Sequence, residues 1–324
     1  MGGNMETTQE TINFQTWSFD KFIGQEKIVK NLLRQLTSGN TGHAYMFVGP
    51  EGQGKGSLAR IFAAGLLCES VDENSGPCGI CYSCSKLKKS IHPDLVTIGS
   101  ESKSIKIEEV RKVKQYINYR PTDSKKKIYL IESAENMTRE GANSILKMLE
   151  EPPEYVVFLL TVNELERMLP TVISRCQIHQ FLPLTEEQLY KALSNRTHAS
   201  QEQLELAVSL SGGMIGRGLA ILQDESYYDM IKKAHSFVEK FEKLTLPELL
   251  DWAEKIDSMD NCEEFLELLN IVFKQKLSEN QTSDSINKLA RIMEIILETK
   301  GQLLTNVNRL LALEAMMVKI KEVD

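Results

Sequence analysis

A glycine-rich segment early in the chain has the residue types of a phosphate-binding (Walker A) loop. Glycines let the backbone wrap around phosphate groups, and a lysine reaches the outer phosphates. The segment supplies Gly49, Gly52, Gly54 and Lys55. The loop is degenerate, because Gly56 stands where such loops carry the Ser or Thr that binds Mg²⁺. We therefore predict at most weak binding of ATP or ADP.

A second contact for a nucleotide-bound metal ion is expected after the strand-like run 128–131. In ATPases of this type an acidic residue there binds Mg²⁺ and a glutamate polarises the attacking water. The two positions are Glu132 and Ser133, and a serine does not accept a proton usefully at neutral pH. Glu132 is equally compatible with a surface carboxylate that caps the strand. Together with Gly56, these positions argue against intrinsic ATP hydrolysis.

Four of the six cysteines crowd into one short segment, as Cys68, Cys78, Cys81 and Cys84. Four thiolates close a tetrahedral shell around Zn²⁺ and leave no open position for catalysis. Disulfide bonds are the alternative, but a reducing cytoplasm disfavours them and the two-residue gaps suit a metal turn. We predict a structural zinc site here, and ordinary buried thiols at Cys176 and Cys262.

These residues lie in a region where predicted strands and helices alternate. The predicted helices cover about 25–36, 107–118 and 139–149, and the predicted strands are 44–48, 94–98, 127–131, 155–162 and 176–182. This alternation over about 180 residues predicts an α/β fold whose parallel sheet is covered on both faces. After Pro183 the pattern changes to amphipathic helices with almost no strand signal.

Composition and charge limit the class of protein. The 324 residues include 38 Lys+Arg and 45 Asp+Glu, and a net charge of −7 argues against nucleic-acid binding by bulk charge alone. Residues 1–180 carry 22 basic and 21 acidic side chains, whereas residues 181–324 carry 16 and 24, so a polyanion is expected to meet the first half. No apolar run is long enough for a membrane span, and no signal peptide is evident, so we predict a cytoplasmic protein.

Four sequence features occur in order along the chain. They are the loop 49–55, the four inserted cysteines, the segment 145–153 (Ile-Leu-Lys-Met-Leu-Glu-Glu-Pro-Pro) and the segment 169–176 (Leu-Pro-Thr-Val-Ile-Ser-Arg-Cys). Together they resemble the AAA+ clamp-loader subunits of bacterial DNA polymerase III, over about residues 20–220. The expected architecture is an AAA+ P-loop-type parallel sheet with a zinc-module insertion, a small helical lid and an all-α collar. The expected bounds are leader 1–19, AAA+ domain 20–182 with zinc module 68–84, lid 183–240 and collar or oligomerisation domain 241–324.

The resemblance implies three further site residues. Arg175, in the Ser-Arg-Cys motif, would be an arginine finger that reaches the ATP of a neighbouring subunit, and its planar guanidinium suits the charge developing on a γ-phosphate. Asn163 matches the sensor-1 position, at the end of a central predicted strand. Arg217, in Gly-Met-Ile-Gly-Arg, matches sensor 2. Composition alone would have selected neither sensor residue.

The chain departs from the family pattern at Gly56 and at Glu132-Ser133, and these departures distinguish two branches of the family. Gamma/tau subunits, which hydrolyse ATP, keep Lys followed by Thr or Ser, and an Asp-Glu pair after the second strand. The resemblance therefore implies a delta-prime type of subunit, which lends an arginine finger but does not turn over ATP. Its partners would be three gamma/tau copies and delta, in a five-membered ring that loads a sliding clamp on primed DNA within the polymerase holoenzyme.

Two alternatives remain open at this point. The first is an active gamma-type ATPase that uses Ser57 as a displaced Mg²⁺ ligand. The second is a zinc module that binds nucleic acid directly through Lys86, Lys88 and Lys89, although such lysines are more often a solvated face.

Overall fold

The computed structural model describes residues 17–99, 104–279, 283–303 and 307–323. Within this part the chain forms two compact units. The first comprises the residues up to Ala192 together with Gly213–Gly216, and the second comprises Leu193–Gly212 together with the residues from Arg217 onward. Residues 1–16 of the expected leader lie outside the described residues, whereas Phe19 is buried in the core of the first unit. None of the helices described combines the length and apolarity that crossing a bilayer requires.

The first unit alternates helices with short strands. Its helices are α1 Glu26–Ser38, α2 Lys55–Leu67, α3 Tyr82–Lys88, α4 Ile107–Tyr116, α5 Arg139–Glu150, α6 Pro170–Ile173 and most of α7 Glu186–Ser194. Its strands are β1 Ala44–Val48, β2 Val71–Asp72, β3 Gly76–Pro77, β4 Leu95–Ile98, β5 Lys127–Ile131, β6 Val156–Val162 and β7 Gln177–Gln180.

Five of these strands form one parallel sheet in the order β4-β5-β6-β1-β7. Every residue of the three central strands β1, β5 and β6 is buried, because helices cover both faces of this part of the sheet. Leu58 and Phe62 of α2 lie in the core on one face, whereas Val110 of α4 and Ile145 of α5 lie in the core on the other. The predicted parallel α/β sheet is confirmed.

Two elements end earlier than their hydrophobic patterns predict. β7 stops at Gln180 because the backbone of Leu182 turns to the side chain of Gln25, donating to its Oε1 at 3.1 Å and accepting from its Nε2 at 2.5 Å. α4 stops at Tyr116, where Lys127 Nζ donates to the Tyr116 carbonyl at 2.9 Å. Side chains distant in sequence thus take the hydrogen bonds that would otherwise extend each element.

The parallel arrangement brings the carboxyl ends of three strands to one edge of the sheet. Val48 of β1 pairs with Val162 of β6, and Ile131 of β5 pairs with Leu160 of β6. The loops that leave these ends carry the glycine-rich segment, Glu132 and Asn163. The fold therefore places three of the predicted site elements along the same edge.

A buried carboxylate holds the turn that precedes β5. Asp94 is 1% exposed, and it accepts hydrogen bonds from the backbone N–H groups of Thr122 at 2.7 Å, Asp123 at 2.8 Å and Ser124 at 2.9 Å. The Ser124 hydroxyl in turn contacts the Ser83 hydroxyl of α3 at 3.2 Å. Asp94 therefore anchors both this turn and its contact with the cysteine-rich segment.

Replacing Asp94 with alanine is expected to destabilise the protein by about 4 kcal/mol, because three buried N–H groups lose a charged acceptor. Urea unfolding measures this loss, and Asp94→Asn, which keeps one carbonyl acceptor, is expected to lose about half as much. Asp72→Ala is the matched control, since Asp72 also accepts from two backbone N–H groups but is exposed. Equal effects of Asp94→Ala and Asp72→Ala would contradict the anchoring role.

The second unit is built of helices within the described residues. They are α8 Gln201–Leu210, α9 Ile215–Gln223 from Arg217 onward, α10 Glu225–Lys240, α11 Leu246–Asp257, α12 Cys262–Glu279, α13 Ser283–Leu303 and α14 Arg309–Lys321. Phe237 of α10 packs edge-to-face against Trp252 of α11 at 5.2 Å and Phe273 of α12 at 6.5 Å between ring centroids. The helical character predicted after Pro183 is confirmed, and the division into a lid 183–240 and a collar 241–324 stays a prediction.

Candidate functional site

The glycine-rich loop lies between β1, which matches the predicted strand 44–48, and α2. Gly52 and Gly54 have φ values of +78° and +85°, which L-residues with side chains rarely adopt, so glycine is required for this path. Gly216 donates its N–H to the Gly52 carbonyl at 2.8 Å, and a Cβ at position 216 would lie 2.7 Å from Gly52 Cα. The Gly-Met-Ile-Gly motif is therefore in close backbone contact with the loop.

Lys55 and Asn163, predicted from different parts of the sequence, meet directly. Lys55 is 6% exposed, and its Nζ donates to Asn163 Oδ1 at 2.8 Å and to the Pro50 carbonyl at 2.7 Å. Burial lowers the pKa of Lys55 to about 8, while the nearby carboxylates of Glu135 and Glu51 oppose the shift. Lys55 is thus mainly protonated at neutral pH and loses its charge as the pH rises through about 8.

Gln53 supplies a second polar group inside the loop. Its side chain is buried, and its Oε1 and Nε2 have no hydrogen-bond partner among the described residues. Buried amides without partners are costly, and a ligand that supplies both a donor and an acceptor removes that cost. Lys55 and the loop backbone offer donors that fit the phosphate end of a nucleotide, whereas Gln53 Oε1 needs a donor that an ionised phosphate does not carry.

Sequence reasoning missed Glu135. A 3-10 turn, Ala134–Asn136, follows β5 and buries this carboxylate, whose Oε1 accepts from the Asn163 N–H at 3.2 Å. Its other oxygen, Oε2, has no partner among the described residues. A carboxylate four residues beyond the strand was the only available signal, and it lies outside the two positions where the metal ligand and the base were expected.

The residues expected to face Mg²⁺ have a different arrangement. Glu132 forms an ion pair with Arg60 of α2 at 2.6 Å. A Cβ at Gly56 would lie 2.9 Å from Arg60 Nη1 and 3.2 Å from Glu132 Oε1, so the ion pair borders the position where a metal-binding hydroxyl would stand. Arg60 could have been found from its i+4 spacing to Gly56 on the same helix face. A guanidinium, not a second metal ligand, therefore faces Glu132.

Arg175 lies on the surface, immediately beyond α6 and before the edge strand β7. Its Nη2 pairs with Glu150 Oε1 at 2.9 Å, and its Nη1 donates to the Thr171 carbonyl at 2.9 Å. Both charged side chains of the pair are partly exposed, at 34% and 44%. Glu150 belongs to the 145–153 segment, so two of the recognised motifs meet at this ion pair.

Arg217 belongs to the second unit and is bound there. Its Nη2 pairs with Glu267 of α12 at 2.7 Å, and Lys300 of α13 pairs with the other oxygen of Glu267 at 2.7 Å. Burial of Glu267 raises its pKa, but the charges of Arg217 and Lys300 outweigh this effect and hold the pKa below its usual value. The sensor-2 candidate thus has an acidic partner on a neighbouring helix.

The four clustered cysteines converge as predicted. Cys68 follows α2, Cys78 follows β3, and Cys81 and Cys84 lie at the start of α3. Their sulfur atoms all lie within 4.8 Å of one another, and Cys68 Sγ is 4.0 Å from Cys81 Sγ. A tetrahedral zinc site with Zn–S bonds of about 2.3 Å separates its sulfurs by about 3.8 Å.

Backbone donors also point at these sulfurs. The N–H groups of Cys78, Cys81 and Cys84 donate to the sulfurs of Cys68, Cys78 and Cys81, respectively, at 3.3–3.4 Å. All four thiols are free rather than paired in disulfides. N–H groups aimed at sulfur favour thiolates, so the donor set fits a structural zinc ion, and the disulfide alternative is not what the structure contains.

The remaining sequence candidates are two further cysteines and the lysines of the zinc-module alternative. Desolvation raises the pKa of the Cys176 thiol to about 12 and that of Cys262 to about 11. Cys262 is buried as predicted, whereas Cys176 is only partly buried. Lys86 pairs with Asp123 at 2.5 Å and lies 4.4 Å from the Tyr82 ring centroid. One of the three lysines proposed for a nucleic-acid-binding zinc module is thus engaged within the protein.

Comparison with protein families matches residues 24–185 to the family described as DNA polymerase III, delta subunit. This match covers half of the chain.

Curated relatives are named as subunits of the same polymerase. The chain is 31% identical over 294 residues to the DNA polymerase III subunit tau/gamma of Haemophilus influenzae, covering 81% of this chain and 42% of that protein. It is 34% identical to the tau subunit of Escherichia coli, over 63% of this chain and 32% of that protein. It is 33% identical to the gamma subunit of Buchnera aphidicola from Schizaphis graminum, over 64% of this chain and 58% of that protein. The chain thus spans about a third to three-fifths of these relatives.

Solved structures that match the chain include a DNA polymerase III gamma subunit-related protein from Thermotoga maritima. It has a TM-score of 0.43 and 19% identity, and the alignment covers 93% of this chain and 99% of that one. The RuvB Holliday junction branch migration motor from the same organism has a TM-score of 0.46 and 15% identity, over 94% of this chain and 85% of that one.

Proposed function

Because this chain belongs to the DNA polymerase III delta subunit family, among the AAA+ clamp-loader proteins, we propose that it acts as the delta-prime subunit of a clamp loader. In this role it binds gamma/tau and delta subunits in a ring, and the ring places a sliding clamp on primed DNA. The chain contributes structure and an arginine finger, and it does not hydrolyse ATP itself.

The observation that carries this proposal is the ion pair between Arg60 and Glu132 beside Gly56. Hydrolysis by a phosphate-binding loop needs Mg²⁺ to bridge the outer phosphates. At this site position 56 has no hydroxyl, the carboxylate that would approach the metal is neutralised by a guanidinium, and Ser133 occupies the position of the base. The arrangement supports phosphate contact through Lys55 without metal-assisted turnover.

The surface position of Arg175 supports the second part of the proposal. An arginine finger must extend from its own subunit into the ATP site of another. Its side chain therefore has to be accessible, and its interactions within its own subunit have to be weak. The exposed Glu150–Arg175 pair meets both conditions, since exposed ion pairs contribute about 0–1 kcal/mol. Glu150 accepts a single hydrogen bond from Arg175, whereas the γ-phosphate of a neighbour can accept two from the guanidinium and carries more negative charge.

The cofactor and sensor assignments are part of the same proposal. A zinc ion bound by the four clustered cysteines has a structural role, because a closed thiolate shell leaves no position for a substrate. Asn163 orients the Lys55 ammonium toward the phosphate position. Arg217 acts as the sensor-2 residue when it exchanges Glu267 for a phosphate.

An active gamma-type ATPase is the second candidate, and two observations favour it. The curated relatives compared above are named gamma and tau subunits. In addition, the buried Glu135 has one oxygen without a partner among the described residues, so it could polarise a water molecule in place of Ser133.

ATP turnover by the purified chain separates the two candidates. We expect no Mg²⁺-dependent phosphate release above the level of the Lys55→Ala variant, because the metal position lacks its ligands. Turnover that disappears in both Lys55→Ala and Glu135→Gln, but persists in the surface control Glu164→Gln, would establish the gamma-type alternative. Phosphate release in a coupled assay, with folding checked by circular dichroism, provides the measurement.

A further inference from the structure

The surface at the amino-terminal edge of the sheet combines exposed aromatic rings with cations that have no ion pair among the described residues. We propose that it binds single-stranded nucleic acid, with bases stacked on Tyr116 and Tyr119 and phosphates against Lys112, Arg120 and Lys125. We call these five residues the aromatic–basic surface. This direct contact requires neither the nucleotide loop nor assembly into a ring.

The two tyrosines are unusually accessible for large aromatic side chains. Tyr116 is 57% exposed and Tyr119 is 65% exposed, and their ring centroids are 6.1 Å apart with the planes tilted by 41°. Lys112 precedes Tyr116 by one helical turn, so both project from the same side of α4. Two open rings next to a cation give a base both a stacking surface and a charge for its phosphate.

The turn that carries the rings is fixed from inside the protein. Lys127 is buried, and its Nζ donates to the carbonyls of Tyr116 at 2.9 Å and Tyr119 at 3.4 Å. The Tyr155 hydroxyl donates to the Ile117 carbonyl at 3.3 Å. These bonds satisfy carbonyls at the end of α4, so the tyrosines stay exposed without the turn having to order itself on binding.

The charge around the rings is strongly positive. Residues 111–127 contain seven Lys or Arg and a single acidic residue, Asp123, which is paired with Lys86. Among the described residues, Lys112, Arg120 and Lys125 have no ion pair, and all three are exposed. The near-neutral total charge of residues 1–180 therefore conceals a local excess that a polyanion can meet.

The position of the surface separates it from the candidate nucleotide site. The 117–126 turn enters β5 at its amino end, whereas the glycine-rich loop leaves β1 at its carboxyl end. Because the strands are parallel, these ends lie on opposite edges of the sheet. Binding at one edge can thus be measured while the other is empty.

The chemistry favours a single strand over other polyanions. An acidic peptide would use the cations but would leave the two rings exposed to water. In duplex DNA the bases are already stacked on each other and cannot cover a tyrosine without unpairing. Unpaired bases gain about 1–3 kcal/mol each from an aromatic platform.

Fluorescence anisotropy with a labelled oligothymidylate of about 16 nucleotides tests the proposal on the full chain. We expect Tyr116→Ala and Tyr119→Ala each to weaken binding about tenfold, and the corresponding Phe variants to retain it. Lys112→Gln and Arg120→Gln should each reduce the slope of log affinity against log salt by about 0.7. Tyr228→Ala is the matched control, since Tyr228 is 42% exposed and has Lys232 over its ring, in the second unit.

Three results would overturn the proposal. The first is oligothymidylate binding that is unchanged in both tyrosine-to-alanine variants when their melting temperatures match the parent protein. The second is equal weakening by Tyr228→Ala or by Tyr82→Ala, which would indicate a diffuse effect or the zinc-module alternative. The third is equally tight binding of poly-glutamate or of a duplex of the same length, since neither offers bases to stack.

Discussion

Replacing Arg175 with alanine is expected to abolish ATP hydrolysis at the one gamma/tau site that the proposed function assigns to this residue in a reconstituted clamp-loader ring. An arginine finger contributes about 10³-fold or more to hydrolysis, because it neutralises charge that develops on the transferred phosphate. If the three gamma/tau sites hydrolyse ATP independently, steady-state phosphate release by the whole ring falls by about one-third. Clamp loading falls further if all sites must be used. Both are measured with primed DNA and sliding clamp present.

Three variants make this result specific. Arg175→Lys keeps the charge but not the bidentate fork, so it should behave much like the alanine variant. Arg167→Ala is the matched control, since Arg167 is also a half-exposed arginine with a carboxylate partner, Glu164, on the same unit. Glu150→Gln removes the partner of Arg175 within the chain, and activity should be retained. Unchanged ATPase and clamp loading with Arg175→Ala, in rings shown to be intact by size-exclusion chromatography, would rule out the finger.

Removing zinc is expected to produce a large loss of stability. A ligand present at about 1,000 times its dissociation constant stabilises the folded state by about 4 kcal/mol, and a four-thiolate site couples metal binding directly to folding. For a unit the size of the first one, this corresponds to a fall in melting temperature of about 10 °C. Thermal unfolding with and without a strong chelator measures the change.

Metal analysis provides an independent check of the same site. The purified chain should contain one zinc ion, and Cys78→Ser or Cys84→Ser should release it. Cys262→Ser lies outside the cluster and should retain the ion even if its own burial makes it less stable. A chain without bound metal, or with a melting temperature unaffected by chelator, would show that the thiols have another role.

Much of the architecture was predictable because it depends on short-range patterns. The bounds of β1 and β5 match the predicted strands 44–48 and 127–131, since a strand buried on both faces has a nearly continuous hydrophobic sequence, here interrupted only by Lys127. The cysteine cluster was equally accessible, because all four cysteines lie within 17 consecutive residues and the two-residue gaps of the last three suit a metal turn. The ends of α4 and β7 were not predicted, since Lys127 and Gln25 act on them from other elements.

The candidate site was only half predictable. Glycines, Lys55 and Glu132 could be assigned from their positions beside strands. The role of Arg60 depends on which carboxylate lies across from it, and the burial of Glu135 depends on a 3-10 turn that propensity does not specify. The family resemblance predicted that Asn163 is at the sensor-1 position, but it did not predict that Asn163 accepts a hydrogen bond from Lys55.

The amino-acid sequence by itself determined the order of elements, the glycine-rich loop, the four metal-ligand candidates and the absence of a hydroxyl at Gly56. These features are encoded in hydrophobic period and in the spacing of neighbouring residues. Only the tertiary structure decided that Lys55 contacts Asn163, which is 108 residues away, and that Arg60 neutralises Glu132. It also decided that the rings of Tyr116 and Tyr119 are exposed side by side. The physical reason is that charges and hydrogen bonds act over a few ångströms, and the sheet register selects which distant residues come within that range.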